Sequence, residues 1–122
     1  MSNIDWTQMI TKEMKEKIAA ALRLAEAKAD LASRNGAAAA QIVRIQDRVE
    51  TLGYGIESGE ATGEDEAELA ALTISLKAWK AYKFALGKVA VQPTWPLAPV
   101  WPAAPAIPDI AADPSAIAPE AV

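Results

Sequence analysis

Between Thr11 and Leu52 the apolar positions recur every three or four residues. Met14, Ile18, Leu22, Ala25, Ala29 and Ala32 share one face, and Ala39, Ile42, Val49 and Leu52 resume the same step. That is helical spacing. The segment is rich in Ala, Lys, Glu and Leu, has no proline and contains a single glycine, so propensity agrees with the pattern. Asn35-Gly36 is the one weak point, where a rod of roughly 60 Å at ~1.5 Å per residue would bend or restart. We read one long helix with a bend at that pair.

Gly53-Tyr54-Gly55, followed by Gly59 and Gly63, interrupts the pattern, and the chain is expected to reverse there. Thr62-Gly63-Glu64-Asp65 fits a capping box, and the neighbouring acids suit a helix N-terminus. Leu69, Leu72, Leu76, Trp79, Tyr82, Leu86 and Val89 then recur at helical spacing until Pro93 forbids continuation. The pattern predicts an all-α fold: an antiparallel helical hairpin with a long N-terminal helix, a second helix over about 62–89, and a proline-rich tail. By segment, residues 1–10 form an arm, 11–90 the hairpin and 91–122 the tail.

The tail has a period of its own. Pro93, Pro96, Pro99, Pro102, Pro105 and Pro108 fall at every third residue, with Trp95 and Trp101 directly before two of them. Proline fixes φ near the polyproline II value, and that helix has three residues per turn, so the prolines share one edge and the tryptophans another. An unbroken strand of this kind puts the two indoles about 19 Å apart at its ~3.1 Å rise. It makes no internal hydrogen bonds, and each indole left in water forgoes ~4–6 kcal/mol by area, an upper bound. The tail therefore needs a surface to lie on. Trp79 and Tyr82 in the hairpin seam offer one in cis, and a partner offers one in trans. From Asp109 onward the chain is thin in large side chains and is expected to fray.

Composition sharpens this need. Leu, Ile, Val and Phe supply 26 of 122 residues, whereas alanine alone supplies 28, so large side chains for an independent core are scarce. Self-association or a partner is expected. The chain has no cysteine and no histidine, which removes thiolate nucleophiles, the commonest zinc ligands and the usual general base near neutral pH. An enzyme is the least expected class, and no cofactor is implied. Neither a signal peptide nor an apolar run long enough to span a bilayer is visible, so we read a cytoplasmic protein without a membrane partner.

The net charge of −4 is unevenly distributed: six acids and no base lie in 53–68, and four lysines without acids in 69–90. Lys77, Lys80, Lys83 and Lys88 close a helix whose start is acidic, an arrangement the helix dipole favours without nucleic acid. Glu64, Asp65, Glu66 and Glu68 scatter around that helix and lack a calcium-loop motif, so capping explains them without metal. Several PxxP steps invite an SH3-like partner, but no basic residue flanks the tail to orient it.

One block resembles a known family. Ala61-Thr62-Gly63-Glu64-Asp65-Glu66, then Trp79-Lys80-Ala81-Tyr82-Lys83-Phe84-Ala85-Leu86-Gly87-Lys88-Val89, and finally Trp101-Pro102-Ala103-Ala104-Pro105, is similar to the C-terminal region of bacteriophage tail fibre assembly proteins. Lys83 stands where arginine is common, and the larger N-terminal domain of many members has no counterpart. The Ile4-Asp5-Trp6 segment and alanine-rich helix are similar to what often precedes the block. The resemblance implies a chaperone in the host-cell cytoplasm that binds the C-terminal, receptor-recognising region of a phage tail fibre protein and assists its folding and trimerisation. It also implies a contact set of Trp79, Tyr82, Lys83, Leu86, Trp95, Pro96, Trp101, Pro102 and Pro105. A permanent cap on the fibre tip in the virion is the alternative, and an SH3-binding adaptor a more distant one.

Overall fold

A computed structural model of the chain describes the backbone of residues 3–110 and the side chains of residues 11–110. It is all-helical apart from the tail, with α1 over Asn3–Ser58 and α2 over Gly63–Leu86 packed antiparallel as a hairpin, then a short 3-10 turn at Val89–Val91. No strand occurs among the described residues.

α1 runs unbroken through Asn35-Gly36 and, contrary to the expected reversal, through Gly53 and Gly55 as well. A glycine inside a helix costs only about 1 kcal/mol relative to alanine, and burial of Leu52 beside Gly53 outweighs it. The break comes at Gly59, whose φ of 78° is the left-handed conformation that ends helices. There the Glu60 N–H donates to Gly55 O at 2.9 Å and the Gly59 N–H to Ile56 O at 3.1 Å, a Schellman arrangement that satisfies the last carbonyls.

Three residues later α2 starts with the capping box. The Asp65 N–H donates to Thr62 Oγ1 at 3.1 Å, and the Thr62 N–H donates to the Asp65 carboxylate at 2.9 Å. Glu64, Asp65 and Glu66 occupy the first turn and Lys83 the last, each on the side the helix dipole favours. α2 ends at Leu86, slightly short of the expected Val89, because Gly87 closes the helix with its N–H on Phe84 O and Lys83 O. Val89 stays buried from the following turn.

The hairpin seam follows a strict seven-residue step on both helices. Leu31, Ala38, Ile45 and Leu52 of α1 meet Leu72, Trp79 and Leu86 of α2, with Ile42, Val49, Leu69 and Leu76 beside them. Arg48 clips the pair from the side by donating to both carboxylate oxygens of Glu68, at 2.8 and 2.9 Å. No polar or charged side chain is buried among the described residues.

The N-terminal stripe behaves differently from expectation. Met14, Ile18 and Leu22 are 54–57% exposed, and Ala25, Ala29 and Ala32 are exposed as well. Their spacing is helical, but α2 covers another face. At ~100° per residue Ala29 lies half a turn away from buried Ala38, nine positions on, and Ile18 likewise from Ile45.

Thr62→Ala removes one half of the capping box and is expected to cost about 1 kcal/mol, a melting point lower by a few degrees in thermal circular dichroism. Acid acts on the same joint. Arg48 holds the Glu68 carboxyl below its ordinary value of 4.5, and the Thr62 backbone and hydroxyl lower Asp65. Lowered folded values mean stability that is fully present above the unfolded range and is lost as pH falls through the folded values. Urea denaturation is therefore expected to show stability falling below about pH 4.5, less steeply in Glu68→Gln.

Candidate interaction surface

After α2 the chain turns and comes back along the hairpin. The turn is built by hydrogen bonds that a free polyproline strand lacks. The Trp95 N–H donates to Gln92 O at 3.1 Å, the Ala98 N–H to Thr94 O at 2.8 Å, and the Gln92 side chain pairs with both the N–H and the carbonyl of Val100 at 2.7 and 2.8 Å. The Trp95–Pro96 peptide bond is cis. With the turn held by these hydrogen bonds, the two indoles, expected about 19 Å apart on a straight strand, stand edge to face with centroids 6.5 Å apart. The ladder is bent over 93–97 and irregular from Pro99 onward.

Three anchors, met in order along the tail, fix its return path. Trp101 lies under the Arg34 guanidinium, 4.4 Å from the ring centroid. The Trp79 indole N–H donates to Ala106 O at 3.2 Å, and Arg44 donates to Pro108 O at 2.8 Å. Ile110 then enters the core beside the seam residues. The fraying expected from Asp109 thus does not reach Ile110, and its remainder lies outside the described residues. Arg34 also donates to Asp30 at 2.8 Å. That bond to Asp30 raises its pKa above the ordinary value, desolvation opposes the rise, and the Tyr82 hydroxyl adds to it.

The expected contact residues are placed unevenly. Trp79, Tyr82 and Leu86 are buried, the first two edge to face at 5.5 Å, and serve as the floor on which the tail rests. Lys83, Trp95, Pro96, Trp101, Pro102 and Pro105 are half-buried. The nine residues therefore chiefly join the tail to the hairpin, and the buried three are out of reach of any partner while the tail is in place.

Along the tail the prolines and the positions after them differ in exposure. Pro96, Pro99, Pro102, Pro105 and Pro108 are all half-buried, whereas Leu97, Val100, Ala103 and Ala106, one position after a proline, are all exposed. Leu97 and Val100, at 65% and 67% exposure, are the large side chains of this third edge, with Ile107 exposed nearby. A shallow groove of about 410 Å³ opens beside this edge, lined by Arg23, Glu26, Ala27 and Asp30 of α1 with Pro96 and Leu97.

Among the described residues no group of three or more His, Cys, Asp or Glu side chains could hold a metal ion, and no helix is long and apolar enough to cross a membrane. Comparison with protein-family models, curated proteins and solved structures finds no match for the chain.

Trp101→Ala removes the edge-to-face partner of Trp95, the seat of Arg34 and part of the core's lid. It is expected to cost about 2–3 kcal/mol in urea denaturation, given the partial burial of the ring. Unchanged stability would mean that the tail does not pack in cis.

Proposed function

We propose that the chain is a non-enzymatic assembly chaperone for a bacteriophage tail fibre, acting in the host-cell cytoplasm on the C-terminal region of the fibre chain. The observation that carries this reading is the tail. The Trp79 to Val89 block and the Trp101-Pro102 step, through which the sequence resembles tail fibre assembly proteins, hold that tail against the hairpin and leave Leu97 and Val100 facing outward. An exposed apolar edge on a rigid backing is suited to an unfinished fibre, whose non-local strand pairing leaves apolar surface and open edges uncovered until the trimer closes.

On this reading the client-binding residues differ from those the resemblance alone implies. Trp79, Tyr82 and Leu86 form the backing, Trp95 and Trp101 set the course of the tail, and Leu97, Val100 and Ile107 meet the client. Buried anchors cannot be shared with a partner unless the tail lifts, and lifting it would uncover the indoles of Trp95 and Trp101.

The test is expression of a phage tail fibre chain with and without this protein. A several-fold gain in soluble, trimeric fibre is expected. A Leu97→Asp, Val100→Asp double variant is expected to abolish most of that gain while melting within a few degrees of the parent, since both side chains are exposed. Fibre trimer that forms equally well without the chain would refute the proposal.

A further inference from the structure

α1 is more than twice the length of α2, 56 residues against 24, or about 84 Å against 36 Å at ~1.5 Å per residue. Residues 11–23 are exposed throughout, and Met14, Ile18 and Leu22 stand more than half exposed in a row. The row continues at helical spacing through Ala25, Ala29 and Ala32 to Gly36, Ala40 and Val43, all exposed, on the side of α1 turned away from α2 and the tail. A face apolar over this length, opposite the seam, is not explained by the hairpin.

We infer that this outer face of α1 pairs with the same face of a second copy of the chain, antiparallel about a two-fold axis near Ala29. The side-chain sizes suit that arrangement. With Ala29 opposite Ala29, Leu22 of one copy falls over Gly36 of the other and Ile18 over Ala40, so these large side chains meet small ones, and Met14 packs beside Val43 at the ends. A Cβ at Gly36 would meet nothing within 4 Å in the single chain, so the space there is open to a knob from outside. Parallel pairing in register would instead stack Leu22 on Leu22 and leave Gly36 facing Gly36.

Charge agrees with size. Lys15 flanks the row at its start, while Asp47 and Glu50 stand exposed on the outer face at its far end, where Glu50 and then Asp47 help to raise the Tyr54 pKa. Antiparallel pairing brings Lys15 of one copy toward Asp47 of the other, whereas parallel pairing in register sets Lys15 against Lys15 and Asp47 against Asp47. Extent is adequate too. From Met14 to Val43 the row is ~44 Å long, and a strip one helix wide, ~10–12 Å, gives about 480 Å² from each copy, roughly 1,000 Å² in total, the least a biological interface is expected to bury. This pairing is independent of the fibre reading, because it uses neither the tail nor a client.

Sedimentation equilibrium of the full chain at micromolar concentration tests it, with a dimer expected. Leu22→Glu and Gly36→Leu are each expected to weaken the dimer by at least tenfold. Gly36→Leu is the sharper variant, because it fills the receiving gap while raising helix propensity, so helicity is retained as association is lost. Orientation is read by single cysteines in this cysteine-free chain: under oxidation Ala29→Cys is expected to cross-link two copies and Met14→Cys is not. A monomer at these concentrations, a trimer, a dimer indifferent to both substitutions, a partner other than a second copy on this face, or efficient cross-linking through Met14→Cys would each overturn the inference.

Discussion

The hydrogen bond from the buried Trp79 indole to the Ala106 carbonyl is the tie on which the rest of the molecule depends. Two helices facing each other enclose very little, and this chain spends alanine where a larger core would need leucine. A buried indole also needs an acceptor, and here the Ala106 carbonyl of the tail supplies it. The tail answers both needs: from Pro99 onward its backbone forms neither helix nor strand, so its carbonyls are free to accept from the hairpin. Arg34 on Trp101 and Arg44 on Pro108 extend the same principle along α1, each arginine using the tail rather than water as its partner.

How much of this is legible in the sequence depends on the kind of signal. The capping box at Thr62 and Asp65 reads directly, because it is local chemistry at a fixed spacing, and the Leu72, Trp79, Leu86 seam reads from its step. The reversal point does not, since Gly53, Gly55 and Gly59 look alike in sequence and only Gly59 takes a positive φ. Periodicity also misleads on α1. Its alanines make two opposite faces apolar, and spacing reports which residues share a face without reporting which face α2 covers. The bend at 93–97 is hidden for another reason: it rests on Gln92 reaching Val100, a side-chain to backbone contact that no proline period encodes.

Once the tail is fixed, the surface divides by direction. Trp79, Tyr82 and Leu86 face inward and give rigidity, Leu97 and Val100 face outward from the tail, and the Met14 to Val43 row faces outward from the opposite side of α1. A client held by the tail edge and a second copy held by α1 would not compete for space. Such a layout suits a protein that works by contact alone, with its few large side chains divided among the core, the tail edge and the outer face of α1.

The central claim is that the tail is part of the folded core. Nuclear Overhauser contacts from the Trp79 indole proton test it most directly, because that proton points at one place on the tail and is shielded only if the tail is there. Contacts to Ala106 and its neighbours, slow exchange of the indole proton and dispersed shifts for Ile110 are the expected result. A rapidly exchanging indole proton, together with random-coil shifts through residues 93–110, would contradict it.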